Sequence, residues 1–200
     1  MKIILASTSP YRRQLLQRLQ LPFSCQSPGT DETAGTGERP AALAQRLALA
    51  KARHVAGTHP DALVIGSDQV AVVNGRVLGK PGGHAAACAQ LHASSGYKAR
   101  FYTAVALVCI DRRHEAFHVE RFSAQFRRLT TRQIENYLMR EQPYDCAGSF
   151  KCEGLGIALV ERLEGRDPSS LEGLPLIALT GLLARAGVDV LSDRPDKRNA

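Results

Sequence analysis

A chain of 200 residues can bury one sizeable core, in one lobe or two, and is too short for two independent large domains. Its apolar fraction of 44% and charged fraction of 22% are those of an ordinary soluble globular protein, which excludes disorder or a membrane span as the theme of the whole chain. The net charge of +7 admits anionic partners and favours phosphate-bearing ligands without choosing among them, but the arginines come as scattered pairs (Arg12-Arg13, Arg112-Arg113, Arg127-Arg128) and Trp is absent, which argues against a nucleic-acid-binding stripe.

Ile3, Ile4, Leu5 and Ala6 form a run far too short for the apolar stretch of a signal peptide and read as a strand. Ser9 then stands as a helix N-cap with Pro10 at the first helical position, and Leu15, Leu16 and Leu19 mark one helical face before Pro22 closes it. A polar, Gly-rich stretch follows over residues 28–38. Pro40 opens a second helix with Leu43, Leu47 and Ala50 on one face, Lys51 near its far end and Gly57 as its stop. Residues 62–73 predict a buried strand, and Asn74-Gly75 predicts a hairpin into residues 76–78. A third helix is expected over residues 84–94, ending at Gly96.

Residues 98–128, rich in Phe, Tyr, Val and Thr and interrupted by a polar break at 111–115, predict an antiparallel pair. Thr130 and Gln133 make a capping box, with Leu129 and Ile134 as its hydrophobic staple, for a helix reaching Arg140. After a loop, residues 157–163 are expected as a strand and residues 175–186 as a last helix stopped by Gly187, while residues 193–200 read as a frayed polar tail. Alternating strands and helices argue for an α/β protein with a single domain over residues 1–192. The five cysteines, Cys25, Cys88, Cys109, Cys146 and Cys152, are odd in number and contain no C-x-x-C pair. They point to reduced thiols in the cytoplasm rather than to disulfides or zinc.

Several stretches could carry chemistry. Ser7, Ser9, Arg12 and Arg13 lie where a strand turns into a helix, whose unpaired N–H groups and positive dipole end suit phosphate; ordinary capping with solvated arginines explains the same residues. Asp68, on an otherwise apolar strand, would be costly to bury, and Gly66 beside it would leave room for a ligand; a solvated strand-end carboxylate is the alternative. Asp31 and Glu32 add oxygens that with Asp68 would suit Mg²⁺ or Mn²⁺. Lys51 and Lys80, the latter in a Gly79-Lys80-Pro81 turn, are candidate phosphate ligands or plain solvated lysines. The Gly-punctuated stretch 144–156 is a candidate binding loop or a simple connection.

Taken in order, Ile4-Leu5-Ala6-Ser7-x-Ser9-Pro10, Asp31-Glu32-Thr33, Ala50-Lys51-Ala52, Gly66-Ser67-Asp68, Gly79-Lys80-Pro81 and Ala147-Gly148-Ser149-Phe150 resemble the Maf family across residues 3–186. No one of these motifs is specific, but six in sequence are. The resemblance implies a Maf/ITPase-like mixed sheet with flanking helices, two lobes around a cleft, and a divalent-metal-dependent hydrolase that releases pyrophosphate and a nucleoside monophosphate. It makes Asp68 the catalytic proton acceptor, Glu32 and Asp68 the metal carboxylates, and Ser7, Arg12, Lys51 and Lys80 the phosphate contacts, while Arg13 falls at a variable place.

Many members carry Arg, Thr and Gln where this chain has Tyr11, Gln69 and Glu153. That pattern resembles the 7-methyl-GTP branch, which removes a modified nucleotide, rather than the dTTP/UTP branch. A carboxylate at Glu153 can accept both N1–H and N2–H of guanine, and the Tyr11 ring can face a base made cationic by N7 methylation. The rivals are a dTTP/UTP pyrophosphatase of the same fold and a nucleotide- or nucleic-acid-binding regulator without turnover. The expected partner is a nucleoside triphosphate, with no membrane; a homodimer stays open.

Overall fold

Strand β1 (Ile3–Ala6) is buried on both faces, as its unbroken apolar run requires, and lies parallel to β2 (Ser24–Gln26) on one side and to the start of β3 (Leu63–Val73) on the other. These belong to a mixed seven-stranded sheet in the computed structural model, which describes residues 1–192. The predicted Asn74-Gly75 hairpin is present. Both residues have positive φ, 49° and 77°, as a type I′ turn demands, and they fold β4 (Arg76–Leu78) back onto β3. The predicted antiparallel pair is β5 (Lys98–Cys109) and β6 (His114–Phe126), and β7 (Val160–Glu164) closes the order β2-β1-β3-β5-β6-β7.

One detail of register makes the cleft. β5 accompanies β3 along one edge from Val64 to Val73, so β1 and β4 must share the other edge. β1 ends with Ala6 opposite Gly66, and β4 ends with Leu78 opposite Ala71. Residues 67–70 therefore have no strand partner on that edge, and the sheet carries a gap at its centre.

Helix α2 (Pro40–Thr58) covers one face of the sheet, packing Leu43, Leu47, Ala52 and Val55 on Ile4, Val64 and Ala106. On the opposite face, α1 (Pro10–Gln17) and α5 (Leu176–Arg185) bury Leu15, Leu16, Leu179 and Leu183 against Leu5, Ile65 and Leu107. Beyond the gap, α3 (His84–Ser94) and α4 (Thr131–Glu141) enclose a third core around Phe101, Phe122, Phe126 and Phe150. The expected α/β fold with two lobes about a cleft is thus present. The Thr130–Gln133 capping box is present too, with reciprocal bonds of 3.3 and 2.9 Å.

Some boundaries differ from expectation. α1 ends at Gln17, before Pro22, because the chain turns through a left-handed Gln20. α2 runs through Gly57, so Lys51 is a mid-helix residue rather than one near the far end. The strand expected at 157–163 starts at Val160, after a 3-10 turn (Leu155–Leu159). Neither β2 nor the 3-10 turn Pro168–Glu172 was foreseen; β2 is only three residues, Ser24 to Gln26, too short for an alternation to be read. The tail 193–200 lies outside the described residues. Among the described residues no helix is long and apolar enough to cross a membrane.

Candidate active site

The gap in the sheet opens into a cleft of about 570 Å³, bordered by the β1–α1 junction, α2, β3, the β4 turn, the 145–153 loop and residues 171–173. A cavity of that size accommodates a small-molecule ligand. Ser7, Tyr11, Arg12, Glu32, Lys51, Asp68, Gln69, Lys80 and Glu153 all border it, so these nine residues, scattered in the sequence, come to one place. Arg13 is exposed and does not line the cleft, and Asp31 turns inward to its own loop, accepting bonds from Thr33.

At one end a lysine sits between two carboxylates. Lys51 Nζ, on a residue only 4% exposed, lies 2.6 Å from Asp68 Oδ1 and 2.6 Å from Glu32 Oε1. Asp68, at 7% exposure, is no solvated strand-end residue. Burial would raise the Glu32 carboxyl, but the Lys51 hydrogen bond and the charges of Lys51, Lys80 and Arg12 outweigh it and hold the group below its ordinary value. Gly66 does not make room for a ligand, as its position suggested. A Cβ there would collide with the Ala48 carbonyl and the Ala52 backbone, so its role is to let α2 lie close on β3 and carry Lys51 to Asp68.

The β1–α1 junction supplies the next groups. Ser9 Oγ caps α1 through Arg12 N (3.4 Å), and Ser7 Oγ accepts from Ser9 N (3.1 Å), fixing the turn. Arg12 Nε donates to the Gly173 carbonyl (2.9 Å), which leaves the outer guanidinium nitrogens for an anion. Burial lowers this guanidinium's pKa while Asp68 and Glu32 oppose the shift; an arginine remains charged throughout. Lys80 stands exposed on the far rim.

The other end of the cleft is built differently. Tyr11 donates its hydroxyl to Asp145 Oδ1 (3.3 Å), and Lys151 Nζ lies 5.9 Å from the centre of its ring. Lys151 is itself held by Glu141 at 2.7 Å, and Glu141 also accepts from Leu155 N at 2.6 Å, so one carboxylate on α4 fastens the start and end of the loop that carries Glu153. Glu153 is exposed and accepts only a long 3.6 Å contact from the Cys152 thiol. Gln69 borders the cleft with its amide nitrogen already engaged, donating to Thr103 Oγ1, Ser170 O and Leu171 O. That bonding makes it a brace for the 168–172 turn, on the strand face opposite Asp68.

Glu141, Asp145, Asp167 and the Gly173 carbonyl are absent from the sequence-based set. Asp167, 2% exposed, accepts from Ser169 N, Ser169 Oγ and Ile177 N and so shapes the turn that aims Gly173 O at Arg12. A buried Asp followed by Pro and two Ser was a readable Asx-type signal; the long-range contact it serves was not.

The carboxylate set fits a hard divalent cation bound together with a phosphate-bearing ligand. Mg²⁺ and Mn²⁺ take oxygen ligands and commonly use one or two protein carboxylates with substrate phosphate and water. Glu32 and Asp68 are such a pair, and no group of three or more His, Cys, Asp or Glu side chains suited to a metal is present among the described residues.

Known proteins resemble this chain over nearly its whole length. The chain is 56% identical over 192 residues to a protein of Polaromonas sp. named 7-methyl-GTP pyrophosphatase, covering 96% of this chain and 88% of that one. It is 55% identical over 189 residues to a protein of the same name from Nitrosococcus oceani, covering 94% and 95%. Among solved structures, the Staphylococcus aureus Ham1 protein aligns at 15% identity and a TM-score of 0.44 over 63% of this chain and 72% of that one, too distant to argue from. The family described as Maf-like protein matches residues 2–186, and by that match and these relatives the chain belongs to the Maf-like family.

Proposed function

We propose that this chain is a nucleoside triphosphate pyrophosphatase whose substrate is 7-methyl-GTP and whose products are 7-methyl-GMP and pyrophosphate. The name shared by its relatives supports the reading, as does one observation in particular: the cleft presents a buried carboxylate beside cations at one end and an aromatic ring beside a carboxylate at the other. Residues 1–192 act as one catalytic domain, and five free cysteines suit a cytoplasmic location.

In this reading the triphosphate lies across the sheet gap. Arg12 and Lys80 meet its oxygens, and Ser7 and the α1 N-terminus complete the anion cradle. Lys51 binds Asp68 Oδ1 and leaves Oδ2 to take a proton from the attacking water. The water oxygen bonds to the α-phosphorus and the α–β bridging oxygen leaves with pyrophosphate, whose growing charge Arg12 and Lys80 offset. Glu32 and Asp68 would hold Mg²⁺ or Mn²⁺, which supplies further charge neutralisation on the phosphates. At the other end Glu153 accepts the paired donors of guanine, and Tyr11 offers its ring to the cationic base.

A panel of canonical and methylated triphosphates, assayed for pyrophosphate release with Mg²⁺ or Mn²⁺, tests the assignment. The expected outcome is highest kcat/KM on 7-methyl-GTP, abolished in Asp68→Asn. Binding without products for every nucleotide would instead indicate a regulator and overturn the assignment.

A further inference from the structure

The base end of the cleft is acidic in a chain whose net charge is +7. Asp145 and Glu153 both border it, both are exposed, and neither forms an ion pair among the described residues. Lys151, the cation beside the Tyr11 ring, is already matched by Glu141. Burial and the charge of Asp145 push the Cys146 thiol up to about 12, so it adds no anion of its own. Asp145 is also fixed in place. Its Oδ1 accepts from the Tyr11 hydroxyl (3.3 Å) and the Cys146 thiol (3.6 Å), which sets the carboxylate at the edge of the Tyr11 ring with Oδ2 unused.

We propose, resting on the function inferred above, that Asp145 is a specificity-determining residue that selects the positive charge of the N7-methylated base. The chemistry of the base calls for two carboxylates. N7-methylguanine carries its N1–H and N2–H donors on the six-membered ring and its positive charge on the five-membered ring, at the other end of the molecule. One acid cannot serve both. Glu153 reads the donor edge, which GTP and 7-methyl-GTP share. Asp145, placed beside the ring on which the base would stack, faces the charge that only the methylated base has. Unmodified guanine presents the N7 lone pair instead, an acceptor against a carboxylate, so Asp145 both favours the cation and disfavours the neutral base. A purely structural role, holding the Tyr11 ring by one hydrogen bond, is separated by Tyr11→Phe, which breaks that bond but keeps the ring and both carboxylates: the preference for the charged base should stay near the wild-type value, and a loss as large as that of Asp145→Asn would overturn the proposal.

The test compares kcat/KM for 7-methyl-GTP, GTP and 7-methyl-7-deaza-GTP, the last having the methylated outline without the charge. Wild type is expected to prefer 7-methyl-GTP to its neutral analogue, and Asp145→Asn to shrink that preference by about tenfold, the effect of removing one partly exposed charge next to another. Glu153→Gln should weaken all three guanine nucleotides while moving the same ratio by no more than about twofold. Ratios are unaffected by a loss of folded enzyme, so a poorly folding variant cannot mimic the result. The proposal is overturned if Asp145→Asn keeps the wild-type ratio, or if wild type treats the charged and neutral methylated nucleotides alike while still hydrolysing both. Failure of the function itself reads differently: wild type would release no pyrophosphate from any of the three.

Discussion

The two ends of the cleft are made from different materials. The phosphate end is built on the middle of β3, the middle of α2 and the first turn of α1, and its central charged groups are tied to named partners: the buried Asp68 to the buried Lys51, Lys51 also to the exposed Glu32, and Arg12 to Gly173, with Lys80 exposed on the rim. The base end is built on the 144–156 loop, and its acids stand exposed, fastened only through Tyr11, Lys151 and Glu141. The triphosphate and the bond to be cut are common to all nucleotides, so their geometry gains from a rigid frame. The base varies, and a loop lets its reader change without disturbing that frame. Substitutions at the first end should therefore affect every nucleotide alike, and those at the second should depend on the base.

The strongest way to break this division is Asp68→Asn, which keeps shape and removes the charge. Pyrophosphate release from every triphosphate should fall by about a hundredfold or more in kcat. A loss confined to 7-methyl-GTP would put Asp68 on the wrong side of the comparison. Next comes Glu153→Gln, which faces an amide donor toward the guanine donors; kcat/KM for 7-methyl-GTP should drop about thirtyfold, with UTP falling far less. An equal drop for both would make Glu153 structural or metal-linked. Arg12→Lys should cost about tenfold in kcat/KM on all bases, because an ammonium cannot hold Gly173 O and present a bidentate fork at once. Kinetics at saturating and limiting nucleotide distinguish that loss from a misfolded enzyme.

The same division governs what the sequence could reveal. Local signals gave the frame: the apolar run of β1, Ser9-Pro10, Asn74-Gly75 and the Thr130–Gln133 box all name their structures without long-range information. Site residues carried by ordered motifs were legible too, though their roles were only partly so. Lys51 was readable as a cation, but that it bridges two carboxylates depends on Gly66 admitting α2 to the sheet, a contact between residues far apart in the chain. Gln69 was placed at the base because it departs from a family pattern. Its amide bonds show it bracing residues 170 and 171 across 101 and 102 positions of sequence. The gap in the sheet was beyond reach, since it follows from where two strands stop along a third.

The smallest expected effect falls on Glu141, which does not itself border the cleft and holds the base loop through Lys151 and Leu155. Its carboxylate takes two donors, Lys151 Nζ and Leu155 N, and those bonds, set against burial, hold its pKa below the ordinary value of 4.5. The sign of the linkage follows: a carboxyl whose folded pKa is depressed contributes its full stability above the unfolded value and loses it as pH falls through the folded one. Between neutral pH and the mildly acidic range the loop should therefore stay fastened, and KM for 7-methyl-GTP should rise only in stronger acid. Glu141→Gln keeps one acceptor oxygen and turns an amide donor toward a second donor, so about 1–2 kcal/mol is lost. For a chain of this size that lowers Tm by about 2–8 °C. KM for 7-methyl-GTP should rise about threefold while kcat stays within about twofold, because the phosphate end is untouched. A kcat that falls with KM unchanged would mean that the loop and the catalytic frame are one rigid unit, and the contrast between the two ends would be lost.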